Sequence, residues 1–539
     1  MSEGVQQSAG FTQWLAAPAW RSLIPFIALL LVALPAWLFA SNLLSPLLKG
    51  DDFAFLADCR SGQEPLANLF KPHNTHIVPA FRLITAGVGL LSRTPGNLAS
   101  NALLANYGAL VLVLLLVGHV VAWETGLMSA GFAAMAFVGL NSVIRPATIW
   151  YSAGQTLWAA AGCLITLAIL QRYRIKPGPI WLGLALISVL LATVFWGGGL
   201  TSGYAAAAYV LCAKRKTARG SAVALASLSS LLLLTLAVLT WKSSGDVTPP
   251  SAENQVAGLN VLSAFTHTTQ AISEKLIAPS LGLDIETTPL QGVLFAAGLA
   301  LCWCWSWYGR RAVRPLEAAG LTLLMSAYLL GFALRSHYSY ENLRSLGWYD
   351  TLPLVGLALF LAGWLVPVVD STPKVPTQPS WRSILSLLGF MAVMLVLQTP
   401  RVEKRFIAEA PALNPSELQR FPIPELQTLR AKVLISTLAD RQRTSLIRLG
   451  LVSTEARRQG ISREAIRRIR GPVSVPGWPA ALTRIDGLDL FSFPPDQTPA
   501  SKPNLSGAMR LNLEPVPEIR PSWIDPSDPW PPRAGGPER

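Results

Sequence analysis

Two neighbouring carboxylates, Asp51 and Asp52, are the first residues whose types and spacing suit chemistry. Side by side they can share a divalent cation such as Mg or Mn, or split their pKa values so that one serves as a general base. They can equally be a solvated loop start that fixes the end of an apolar run. Downstream, the segment P-H-N-T-H sets His73 and His76 three residues apart, and Arg82 follows. H-x-x-H spacing can bind metal, but no Cys or close third ligand lies nearby to complete a zinc site. A second reading has the histidines and Arg82 donating hydrogen bonds to a phosphate. A third makes the segment an interfacial turn shaped by its prolines. Much later, Arg344 precedes Trp348 and Tyr349. A guanidinium suits phosphate because its planar fork makes bidentate contacts. Anchoring at a membrane interface is the alternative, since arginine and aromatic rings also do that well.

The elements that must position these residues are apolar. Of the 539 residues, 51% are hydrophobic and only 14% charged, with a mean hydropathy of +0.40. Soluble domains carry about 25% charged residues, so a soluble multidomain chain is excluded. Five cysteines, four of them in apolar runs, imply no disulfide framework. A spanning helix needs about 20 mostly apolar residues. Eleven runs qualify as candidates: 22–47, 98–122, 127–144, 155–171, 180–196, 199–212, 221–241, 289–308, 316–335, 351–368 and 383–399. The expected fold is therefore an all-α polytopic membrane protein of about 11 transmembrane helices.

Orientation follows from lysine and arginine in short loops. Arg172, Arg174 and Lys176; Lys214, Arg215, Lys216 and Arg219; and Arg310, Arg311 and Arg314 form three loops with no acid between their basic residues. Eleven spans with a cytoplasmic N-terminus (1–21) put all three inside, and the C-terminus outside. The net charge of +14 then sets topology rather than a nucleic-acid groove. In segment 77–93 only ten residues separate Arg82 from Arg93, about 15 Å of helix and too short for a crossing, so it reads as an interfacial helix in the first outer loop. Beyond the membrane domain 22–399, residues 400–470 show helical periodicity. Residues 471–539 are proline-rich and read as a disordered extramembrane tail.

This topology gathers the polar residues on the outer face. Loop 48–76 brings Asp51, Asp52, His73 and His76; loop 242–288 brings His267, Glu274, Lys275, Asp284 and Glu286; loop 336–350 brings His337, Tyr338, Tyr340, Arg344, Tyr349 and Asp350. No G-x-x-x-x-G-K-[ST] loop or G-x-S-x-G elbow is present. Charges are scarce within the spans, which disfavours a proton-coupled transporter.

An acidic pair at the opening of a large outer loop, followed by P-H-N-x-H-x-x-P-x-x-R into an interfacial helix, resembles bacterial membrane glycosyltransferases of the GT-C class. The late stretch LRSLGWYDTLPLVGLALFLAG is similar to the Arg/Tyr segment that opens a late span in many of them. The resemblance covers about residues 20–400. It implies a GT-C-like fold and a sugar carried on a polyprenyl phosphate, passed to a glycan, lipid or protein acceptor at the outer face of the bacterial inner membrane. Asp51, with Asp52, takes the place of the base or metal ligand. Their adjacency departs from the family's more usual spacing, in which one residue separates the two acids. Arg344 and His73 fall near the donor phosphate, with His76, Arg82 and Tyr349 as further substrate contacts. Two other classes stay open: a flippase for lipid-linked sugars, and a polymerase or ligase of surface polysaccharide.

Overall fold

The computed structural model describes residues 23–40, 55, 69–70, 77–91, 96–213, 218–243, 261–310, 313–333, 340, 344, 346–366, 377 and 379–408. Among these the chain is almost wholly helical, with one isolated bridge between Leu127 and Thr377. The helices are α1 (Leu23–Leu38), α2 (Pro79–Leu91), α3 (Gly96–Thr125), α4 (Met128–Gly139), α5 (Arg145–Ile149), α6 (Gln155–Ile175) and α7 (Pro179–Phe195). They continue as α8 (Thr201–Cys212), α9 (Ala218–Ser243), α10 (Val261–Ala271), α11 (Pro289–Arg310), α12 (Pro315–Ala333), α13 (Thr351–Leu365) and α14 (Trp381–Ala408).

Each of the eleven apolar runs coincides with a helix, but the expected count of eleven spans does not hold. Seven helical segments among the described residues are long and apolar enough to cross a membrane, or eight if the bent pair α4–α5 counts as one span. The reason is length. With 12 residues, α8 extends about 18 Å at 1.5 Å per residue, against a hydrocarbon core of about 30 Å. Helices α1 and α7 reach 16 and 17 residues. Run 127–144 breaks at Asn141 and bends by 55°. Segment 77–93 is a separate 13-residue helix, α2. The final helix continues through Pro400 to Ala408, and residues 409–539, including the expected tail, lie outside the described residues.

Close packing comes from small side chains, as expected where lipid supplies no hydrophobic drive between helices. Helices α12 and α13 approach through Gly320 and Gly356. A Cβ on Gly356 would sit 2.7 Å from the Leu324 backbone nitrogen. Helix α11 is the opposite case, with Leu290, Leu294, Leu301, Trp305 and Tyr308 exposed, the pattern of a lipid-facing span.

The described contacts sort the helix ends. Thr156 and Thr351 are hydrogen-bonded at 3.0 Å, so α6 and α13 start at the same end of the bundle and finish together at the other. At that far end Arg174 pairs with Glu124 at the end of α3, and Tyr209 of α8 donates to the same carboxylate at 2.6 Å. Tyr173 meets Ser221 at the start of α9, and Arg314 caps the last carbonyls of α13 at Gly363 and Val366. The flanks of all three acid-free basic loops therefore share one end.

Candidate functional site

At the opposite end, the polar parts of the chain converge on a break in the helices. Helix α10 runs into a π-helical turn, Ile272–Ile277, that carries Glu274 and Lys275, both buried. Such turns are rare and recur at functional sites. Adjacent residues on a helical turn point in different directions, so the two charges turn to different partners. Lys275 Nζ lies 3.0 Å from Asp350, with both side chains 6% exposed, and Tyr328 Oη donates to the same carboxylate at 2.9 Å. Glu274 accepts from Tyr340 Oη at 2.7 Å and from the Thr287 backbone N–H at 3.2 Å.

Arg344 joins this group from the mouth. Its guanidinium is 3.8 Å from buried Glu274 and 2.8 Å from Glu286. Its own side chain is 41% exposed and that of Glu286 79%. The cluster thus grades from a sealed ion pair, Lys275–Asp350, to an accessible one, Arg344–Glu286. Burial and the hydrogen bond to Glu274 drive the Tyr340 phenol well above its usual range, so it acts as a donor and not as an acid. His267 stacks on Tyr340 with ring centroids 5.2 Å apart. Burial holds its imidazole below the usual histidine value.

An aromatic wall stands beside the charges. Tyr349, in the 3-10 turn Gly347–Asp350, is buried and meets Trp196 edge-on at 5.2 Å. Trp348 meets Trp150 at 4.4 Å. The indole N–H groups of Trp150 and Trp196 are buried without a hydrogen-bond partner among the described residues.

Backbone irregularity at this end is tied down by side-chain amides. Asn141 caps the turn after α4 through Val143 N and donates to Ser280 Oγ at 2.7 Å. Gln398 of α14 accepts from Ser142 N and donates to Pro279 O at 2.9 Å. Asn106 donates to the carbonyls of Ala147, Trp150 and Tyr151. Free backbone groups at membrane depth need such partners. Gly154 is required beside Asn106, because a Cβ there would lie 1.9 Å from Asn106 Oδ1.

Of the residues singled out from sequence, Asp51, Asp52, His73 and His76 lie outside the described residues, and so does the possible Mg or Mn site they would form. Arg82 is 4% exposed on α2, with its guanidinium 5.2 Å from the Phe55 ring centre. Helix α2 docks on the chain after α5, where Tyr151 Oη donates to Thr85 at 2.8 Å. Arg344 lies in the ionic cluster, and Tyr349 precedes its Asp350. The described partners of Arg344 are Glu274 and Glu286, not Arg82. The part sequence reasoning missed is α10 with its π turn, taken as loop 242–288. The Glu-Lys pair inside I-S-E-K-L-I, with apolar neighbours at 272, 276 and 277, was the available signal. Among the described residues no group of three or more His, Cys, Asp or Glu side chains is placed to hold a metal.

Comparison of the chain with protein-family models, with curated proteins and with solved structures finds no match.

Proposed function

We propose that this protein is an integral membrane glycosyltransferase of GT-C type, moving a sugar from a polyprenyl-phosphate donor to an acceptor at the outer face of the bacterial inner membrane. The observation that carries the reading is Arg344: an accessible guanidinium, backed by a buried carboxylate, at the end of the bundle away from the basic loops. A polyprenyl donor keeps its tail in lipid and its phosphate at the boundary, within reach of such a group. Transfer requires an acceptor hydroxyl to lose a proton and a phosphate to leave. Asp51, with Asp52, is assigned the first task, aided by a divalent metal if one binds. Arg344, with His73, His76 and Arg82, is assigned to the phosphate. The half-buried rings of Trp150 and Trp348 pack together at the same end of the bundle, next to Tyr349. Basic loops at the other end make that end cytoplasmic.

The test is sugar transfer in membranes. Asp51→Asn and Asp52→Asn should abolish transfer at normal expression, and Arg344→Gln should raise KM for the donor. Unchanged transfer in the two aspartate variants sinks the catalytic assignment. The second reading, a flippase for the same lipid-linked sugar, draws on the Lys275–Asp350 pair, because ionisable groups buried among spans often line a path.

A further inference from the structure

The Arg344–Glu286 pair differs from every other contact in the cluster. Glu274, Lys275 and Asp350 are buried, and their positions are fixed by helices and several partners. Glu286 is 79% exposed and sits on the non-helical stretch between Ser280 and α11. Its described hydrogen bond is to Arg344 at 2.8 Å. An exposed ion pair is weak and readily exchanged. Charge fixes what can take its place. Among the described residues of the cluster, Lys275 and Arg344 stand against Glu274, Asp350 and Glu286, a formal net charge of −1. A monoanionic oxyanion replacing Glu286 leaves that balance unchanged, whereas a dianion adds a further negative charge beside two buried carboxylates.

We propose that Glu286 is the resident counter-anion of Arg344, displaced by the ligand, and that the site is thereby matched to a phosphodiester carrying one negative charge. The inference rests on the assignment of Arg344 to the donor phosphate. It adds Glu286 as the group that a bound ligand displaces and makes ligand entry an exchange of one carboxylate for one phosphodiester. The Arg344 guanidinium keeps a negative partner throughout, and Glu274 holds it in place from behind. The exposed carboxylate also screens the arginine from other anions when the site is empty.

The experiment uses the full-length protein in lipid nanodiscs, with equilibrium binding of three probes: a polyprenyl phosphodiester of a hexose, the corresponding pyrophosphodiester, and inorganic phosphate. Glu286→Gln should bind the phosphodiester up to about fivefold more tightly, the upper end for release of an exposed ion pair. The gap between the phosphodiester and the pyrophosphodiester should stay as it is, because both displace the same carboxylate and the buried Glu274 and Asp350 that disfavour a second negative charge remain. Arg344→Gln should weaken both lipids. Glu286→Gln binding no tighter, or more weakly, while Arg344→Gln still weakens the lipids overturns the exchange and leaves the Arg344 assignment standing. Arg344→Gln binding like the unaltered protein overturns that assignment itself. Inorganic phosphate binding as tightly as the lipids shows a simple anion site and overturns the phosphodiester match.

Discussion

Removing one member of the Lys275–Asp350 pair takes the closest described counter-charge from a buried group, and the cost can be worked from the contacts. The two groups are 3.0 Å apart and each is 6% exposed. Asp350→Asn keeps the shape of the side chain and an acceptor for Tyr328 Oη, so what it removes is the negative charge facing Lys275 Nζ. Breaking a buried pair from one side costs about 3–5 kcal/mol, whereas replacing both partners by neutral groups costs much less. Lys275→Met should therefore cost about 3 kcal/mol, Asp350→Asn about the same, and the double variant only about 1–2 kcal/mol. The coupling in the double-mutant cycle is then about 4 kcal/mol, far beyond the few tenths expected of independent sites. Equilibrium unfolding in mixed micelles, followed by tryptophan fluorescence, reads all four corners of the cycle. Additive single effects, or single effects each below about 1 kcal/mol, would refute the view that this ion pair locks the π turn to α13.

Asn106→Leu removes the donor shared by three carbonyls, one in α5 and two just after it, and should cost about 2–3 kcal/mol. Gly154→Ala should cost a similar amount through its overlap with Asn106 Oδ1. The Asn106→Ala/Gly154→Ala pair should cost less than the two together, and strict additivity on thermal unfolding would contradict the contact. Gly320→Leu should disrupt α12–α13, where a Cβ already meets Gly356 O at 2.6 Å, and should show as lost monodisperse protein after solubilisation. Burial lowers the His267 imidazole below 6.5, so the folded chain disfavours the charged ring. Stability should be complete above pH about 6.5 and fall as the pH drops toward the lowered value, because the unfolded chain takes up the proton first. His267→Gln should flatten that part of the profile, and an unchanged acid slope would place its source elsewhere.

The sequence resolved helices better than it resolved spans. Apolar runs identify buried or lipid-facing helices, and every run became one. Whether a run crosses depends on its unbroken length and on tertiary neighbours, as Asn141 shows. Its side chain caps the turn that follows α4 and bonds Ser280, 139 residues away, while Gln398 ties the neighbouring Ser142 from 256 residues away. The site shows the same division. Arg344 stood out by type and context, and the loop sorting placed Glu274, Lys275, Glu286 and Asp350 on its side of the membrane. Which carboxylate would meet which cation was not legible, because Glu274 reaches Tyr340 across 66 positions and Lys275 reaches Asp350 by way of a π turn that no periodicity announces. Polar residues in I-S-E-K-L-I read as loop by composition, yet packing against the turn before α13 buries them.

The central claim is that a bond is made and not only a lipid moved. The most direct measurement places the purified full-length protein in liposomes with a polyprenyl-phosphate hexose labelled in the sugar, adds a cell-envelope extract as the source of acceptor hydroxyls, and follows release of polyprenyl phosphate, arrival of label in the acceptor fraction and the leaflet of the remaining donor. The account predicts that polyprenyl phosphate accumulates as label leaves the donor, and that Asp51→Asn and Asp52→Asn stop this while the protein remains folded. Donor that changes leaflet with its sugar still attached, at the same rate in those variants, would contradict the account.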